Sequence, residues 1–209
     1  MLVKSIIHPT YFPPVSHFVI MANNDVIFEV EDNYQKQTYR NRAYIYGPNG
    51  KQLLSVPIIH TKSHGRQKYK EVKIENDFNW QKQHWKTLET AYRTSPFFEF
   101  YEDDIQPVFT KKHYYLMDLN FEIIELISNF LDIELSIEKT ISYIEKPEKH
   151  VDFRKLASAK SGENYNFDEY IQVFSEKFGY MNNLSILDLL FNEGPNALNY
   201  LENQKGKIQ

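Results

Sequence analysis

The apolar pattern of this 209-residue chain changes period part-way along. Up to about residue 76, hydrophobic residues come in the short runs that strands use. From Trp80 onward they recur every three to four residues, the spacing of a helix face. Leu2–Ile7 predicts a buried strand. Pro9, Pro13 and Pro14 stiffen the loop after it, and Pro14 can open a helix running to about Ala22. Asp25–Val30 predicts a second strand. Ala43–Tyr46 and Gln52–Ile59 predict a hairpin around Gly47-Pro48-Asn49-Gly50, and Glu71–Ile74 a further strand. Trp80, His84, Leu88 and Tyr92 then mark a helix. Ser95-Pro96 reads as the start of another. Leu116, Leu119, Ile123, Ile127 and Phe130 mark a third, of about five turns. Ile133–Ile137 reads as a returning strand and residues 145–167 as a long charged loop. Leu184–Phe191 reads as a last helix, stopped by Gly194-Pro195. The expected fold is α/β: a mixed sheet with strands mainly in the N-terminal half and a helical C-terminal half. One domain over 1–209 is expected, divisible into 1–76, 77–202 and a frayed tail at 203–209.

Composition narrows the function classes. Cysteine is absent, which removes disulfides, thiolate metal sites and cysteine nucleophiles. The formal net charge of −4 gives no general attraction to nucleic acid or to anionic membranes. No apolar run approaches the ~20 residues of a membrane span, and the N-terminus is too briefly apolar for a signal peptide. A cytoplasmic protein is expected. The excess is aromatic: 15 Tyr, 15 Phe and 2 Trp. Nine of the 32 lie between Tyr92 and Phe121, mostly at helical packing spacing. Tyr11, Phe12, Tyr34 and Tyr39 stand beside the suspected ligand elements and are the candidates for a stacking wall. An AT-rich genome would also favour Asn, Lys and Ile, which number 17, 19 and 19.

Five segments carry candidate chemistry. His8-Pro9-Thr10-Tyr11-Phe12-Pro13-Pro14 joins a strand to a helix, where open α/β sheets bind ligands and where a helix N-terminus attracts anions. His8 is a candidate acid/base and Tyr11 a wall; the alternative is a stiff packing loop. Glu31–Arg42 holds Lys36, Arg40 and Arg42, with amides and tyrosines between them. Arginine pairs bidentately with phosphate or carboxylate; the alternative is a solvated loop neutralised by Glu29, Glu31 and Asp32, and the density of tyrosines and amides favours a binding surface. His60 and His64 have metal-ligand spacing without an acidic third ligand, so no metal is expected. His84, one turn above Trp80, either reaches a ligand or sits in a core helix. Asp188 lies among apolar residues, where a carboxylate must be paired or have a raised pKa. It would be a site acid or the partner of Arg40, Arg42 or Arg93. Asn183 and Ser185 are its helix's candidate caps. No Walker, Rossmann-glycine, G-x-S-x-G or H-E-x-x-H signature occurs, so the sequence names no cofactor.

Six stretches together resemble one family: HPTYFPPVSHF, DNYQKQTYRNR, LLSVPI, NWQKQHWKTLETAYRTSPFFEFY, MDLN and NLSILDLLFNEGPNALNYL. They run from residue 8 to about 201. They are similar to the WbqC-like proteins, in the short Bacteroidetes-type form. Longer members open with His-Gln-Pro-x-Tyr-x-Pro-Trp and carry a glycine-rich stretch before the final helix. Here no Gln separates His8 from Pro9, Pro14 stands where Trp is usual, and only Ser161-Gly162 remains of the glycines. The resemblance implies surface-polysaccharide or O-antigen biosynthesis, with glycine or acyl transfer to a sugar as the suggested reaction. By motif matching it points to His8 and Asp188 as catalytic. Tyr11, Asn33, Gln35, Lys36, Arg40, Asn41, Arg42, His84, Asp118, Asn120 and Asn183 would bind substrate. The expected partner is a small molecule or nucleotide sugar with an anionic group, and no nucleic acid. A rival expectation compares residues 10–17 with nucleotidylyltransferases, where only His17 matches the His-x-Gly-His pattern. Another is a non-catalytic sugar- or nucleotide-binding accessory of the same pathway.

Overall fold

The computed structural model describes residues 3–60, 65–159 and 165–208. β1 (Lys4–Ile7) runs through the middle of a three-stranded parallel sheet, ordered β2-β1-β5. β2 is Val26–Phe28 and β5 is His150–Asp152. Ser5 pairs with Val26 on one side and Val151 on the other. Ile6 and Ile7 are fully buried, as a central parallel strand requires. Between β1 and β2 runs α1 (Val15–Asn23), buried from Val15 to Met21 and packed on α7 (Ala197–Asn203). The chain thus leaves β1 for β2 on one side and comes back to β5 on the other. That reversal makes the carboxyl edge of β1 the switch point of the sheet.

A separate hairpin pairs β3 (Arg42–Gly47) with β4 (Gly50–Ser55), with Gly50 at φ 98° in the expected Asn-Gly turn. Four helices follow the expected periodicity. α2 (Trp80–Tyr92), α3 (Phe98–Thr110) and α4 (Leu116–Phe130) bury their apolar stripes in one core, with α6 (Ile186–Glu193). A single turn, α5 (Ser175–Phe178), lies in the segment that wraps back to α6. Four of the five strands precede residue 60, so the mixed α/β expectation holds.

Several boundaries differ from the expectations, each for a local reason. Pro14 is the N-cap of α1 rather than its first residue. β4 stops at Ser55, ahead of Pro57, and Ile58 makes only an isolated bridge to Ile74. Glu71–Ile74 is no strand but a 3₁₀ turn, Tyr69–Glu71, followed by isolated bridges. Ser95 does not cap α3, because its hydroxyl donates back to the carbonyl of Tyr92, and the helix begins at Phe98. Ile133–Ile137 forms no strand; the chain meets the sheet just beyond, where Lys139 bridges Phe28. The charged stretch 145–167 holds β5. The tail is packed through Ile208: Gln204 is buried against Asp168, and Lys207 pairs with Asp168.

Gly194 closes α6 at φ 50°, and a Cβ there would stand 2.5 Å from the ring of Phe97. Gly194→Ala combines left-handed strain with a clash against packed carbon. It should cost about 2–3 kcal/mol. Thermal unfolding should show Tm falling by roughly 5–10 °C.

Candidate functional site

His8 follows β1, Glu29–Asp32 follow β2, and Arg154 follows β5 after Phe153, so all three lie beyond the carboxyl ends of parallel strands. His8, Asp32 and Arg154 line a pocket of about 190 Å³ together with Gln35, Arg40, Tyr143, Lys155 and Ser158. The loop between β2 and β3 reaches this edge because its backbone is tied down. The carbonyl of Tyr39 accepts from Tyr11, and the amide of Tyr39 donates to Ala157.

Arg40 brings a cation to the pocket floor at 1% exposure. Its Nη2 donates to Asp32 Oδ2 at 3.0 Å, while its Nε has no partner among the described residues. The guanidinium carbon lies 5.4 Å from the centre of the Tyr69 ring. Asn120, from α4, donates to the carbonyl of Arg40 and to the Tyr69 hydroxyl. The same Asp32 oxygen is 3.4 Å from His8 Nε2, and His8 Nδ1 is 3.3 Å from the Glu29 carbonyl. Burial, then the charge of Arg40, hold the His8 imidazole well below its usual pKa, and Arg154 and His17 add to this. The neutral ring has one N–H between two acceptors, so one contact is always unmet. A second proton would satisfy both. His8 is therefore a proton acceptor held empty by burial and its neighbours' charge.

Glu29 is completely buried. Its carboxylate accepts from the Glu31 amide, the Thr140 hydroxyl and the Ile144 amide, and Arg154 stands 3.7 Å away. Arg154 grips Asp152 through Nε at 2.9 Å and Nη2 at 2.7 Å, which lowers the Asp152 pKa.

The N-terminus of α1, an expected anion site, is filled by protein. Ser16 N donates to Asn183 Oδ1, Val15 N to the carbonyl of Leu184, and His17 N to the carbonyl of Pro14. Asn183 does this from φ 52°, a region asparagine tolerates. In the preceding loop Phe12 sits at φ 35°, strained for a bulky residue, and is pinned by Ser185 Oγ donating to its carbonyl. His17 is buried, and neither of its ring nitrogens has a partner among the described residues.

The structure thus gathers His8, Gln35 and Arg40 from the expected set, and adds Asp32, Tyr143, Arg154, Lys155 and Ser158. Lys36 is exposed, Asn33 is half-buried, and Arg42 opens β3 outside the pocket lining. Asn41 is tied to the Tyr34 hydroxyl and the Val56 carbonyl. Asp118 is exposed on α4. Tyr11 and His84 bond each other in the core at 2.9 Å. Asp188 is buried elsewhere and pairs with no arginine: Tyr92 at 2.8 Å, Tyr170 at 2.6 Å and Gln172 at 2.8 Å all donate to it. Burial still raises its pKa against those three donors. His60 is exposed, and His64 lies outside the described residues. A larger groove, about 630 Å³, opens near the amino ends of β1 and β2, beside Asp25, Asp132, Glu134 and Glu202. It lies at the edge opposite the switch point, and its lining also includes Asn23, Asn24 and Lys205.

Residues 8–165 match the WbqC-like protein family. The chain belongs to that family. The match spans the elements that build the pocket, from His8 to Ser158. The chain is also similar to uncharacterized protein Rv1507c of Mycobacterium tuberculosis. The two are 29% identical over 227 residues, covering 94% of this chain and 96% of that protein. No solved structure matches. Among the described residues no helix is long and apolar enough to cross a membrane.

Two outcomes follow for stability. Burial, then Arg40, lower the His17 pKa to about 3, and burial lowers that of His84 to about 4. A lowered folded pKa favours the neutral form. The stabilisation is therefore full above the unfolded value of about 6.5 and is lost as pH falls toward the folded values. Urea unfolding between pH 7 and pH 4.5 should show stability falling by up to about 1.4 kcal/mol per pH unit for each histidine. His17→Phe should flatten that slope by one such unit. Separately, Asp32→Ala leaves Arg40 buried without its carboxylate. It should cost about 3–5 kcal/mol, and adding Arg40→Met should recover part of the loss.

Proposed function

We propose that this WbqC-like chain is a group transferase of surface-glycan biosynthesis, with its reacting groups meeting over the carboxyl ends of β1, β2 and β5. The observation that carries the reading is the convergence of His8, Asp32, Arg40 and Arg154 from separate segments on one pocket at the switch point. Neutral His8 would take the proton of an acceptor hydroxyl or amine as that atom bonds to the acyl carbon of an activated donor. The electron pair of the cleaved donor bond would leave with the carrier, and imidazolium would return the proton to it. Asp32 would stabilise the imidazolium while it exists. Lys155 at the rim would meet an anionic part of a nucleotide-sugar substrate.

One observation favours a second reading, a binding protein of the same pathway: His8 is 3% exposed and both its nitrogens face protein oxygens. The two readings separate in one experiment. UDP-N-acetylglucosamine is titrated calorimetrically into wild type and His8→Gln, and acyl or glycyl transfer is followed by mass spectrometry. The transferase reading expects near-equal binding, with turnover falling about 10²–10⁴-fold in the variant. Unchanged turnover in His8→Gln overturns it. Binding without any turnover in wild type favours the binding protein.

A further inference from the structure

The aromatic wall expected from the sequence is absent from the pocket. Tyr11 and Phe12 are fully buried, Tyr39 is 9% exposed, and Tyr34 donates its hydroxyl to Asn41. The aromatic ring that lines the pocket is Tyr143, 48% exposed. Its mount is rigid. Glu29 fixes the flanking backbone through the Thr140 hydroxyl and the Ile144 amide. Arg154 donates to the carbonyls of Ile144 and Glu145, and its guanidinium carbon lies 5.6 Å from the Tyr143 ring centre. Arg154 is in turn locked to Asp152 on β5. An exposed aromatic held this way is preorganised, and a ligand stacking on it would lose little loop entropy.

The space beneath it is small. At about 190 Å³ it equals roughly six waters at ~30 Å³ each. Pockets for drug-sized ligands run to about 300–1,000 Å³, so one ring fits inside and the rest of a nucleotide sugar would lie outside it. Its walls offer both hydrogen-bonding senses: Asp32 accepts, Arg40 donates, and the Gln35 amide does both. The two arginines are each held by a carboxylate, Arg40 by Asp32 and Arg154 by Asp152, and Lys155 adds a further cation at the rim. Such a mixture suits an uncharged ring with a polar edge better than a bare anion.

We propose that Tyr143 is the stacking platform of this site, and that the pocket takes one uncharged six-membered ring with its polar edge toward Asp32, Gln35 and Arg40. This rests on the glycan-transferase reading and adds where the substrate's ring sits. A pyranose and a pyrimidine base share that chemistry, and the probes separate them. N-acetylglucosamine, uridine and inorganic phosphate are each titrated into wild type, Tyr143→Ala and Tyr143→Phe by ligand-observed NMR. Urea midpoints serve as the folding control. One of the two rings should bind wild type. Tyr143→Ala should weaken it about tenfold, equivalent to 1.4 kcal/mol, and Tyr143→Phe by no more than about twofold. The urea midpoint should not move, because the side chain is half exposed. Equal affinity in Tyr143→Ala overturns the platform, as does failure of both rings to bind. Phosphate binding alone overturns the ring assignment and leaves the transferase reading standing. Ring binding that depends on Tyr143, without any group transfer, upholds the platform and sinks the transferase reading.

Discussion

A guanidinium in the interior sets the terms for everything around it. Arg40 is 1% exposed, and burial lowers its pKa, opposed by Tyr69 and Asp32. An unpaired charge there would cost several kcal/mol, so the neighbourhood has to supply a carboxylate. Asp32 does so, and that same oxygen then lies beside His8. Asn120 holds the Arg40 carbonyl from α4, which ties the pocket floor to the helical half. The field of Arg40 also reaches His17 and His8 and favours their neutral forms. One buried cation therefore fixes the position of Asp32, adds to the burial that keeps His8 and His17 neutral, and ties the pocket floor to α4.

The N-terminal architecture was legible because its signals are local. A short apolar run followed by prolines specifies strand, loop and helix within twenty residues, and Asn49-Gly50 specifies the hairpin. β5 was not legible. His150–Asp152 is three residues long with one apolar side chain, and it reads as strand only because β1 is already there to pair with it. Missing β5 meant missing Arg154, Lys155 and Ser158, which its carboxyl end delivers to the pocket. Tyr143 was hidden for the same reason: its place depends on Glu29, more than a hundred residues away. Asp188 reads from its apolar neighbours as a buried carboxylate, and it is one, but three neutral donors satisfy it in place of an arginine. Sequence can show that a buried acid needs partners without showing which long-range partners arrive.

The loop between β1 and α1 shows how local rules yield to packing. Its proline-stiffened sequence leads into a helix whose first amides would ordinarily welcome an anion. Asn183, brought from far along the chain, takes that role instead. The loop is then clamped from several sides. Tyr69 donates to the Pro9 carbonyl, Ile186 N to that of Pro13, and Ser185 to that of Phe12, which holds Phe12 at an unfavourable φ. Constraint of this density immediately after His8 keeps the imidazole from relaxing away from Asp32 and Glu29.

The two buried carboxylates on well-defined partners, Asp188 and Glu29, have different consequences because of where they sit. Asp188 joins α2, α6 and the segment around Tyr170 and Gln172, and its donors are all neutral side chains. Protonating it would remove charge from a closed cluster without moving anything that borders a pocket. Glu29 instead takes two backbone amides and a hydroxyl from the chain crossing the carboxyl edge of the sheet, and faces Arg154. Its charge is coupled to the segment that carries Tyr143 and to the cation that pins it. A perturbation at Glu29 therefore reaches the rim of the site through hydrogen bonds alone, whereas one at Asp188 reaches it only by loosening the core. That asymmetry separates the pocket-bearing edge of the sheet from the interior that supports it.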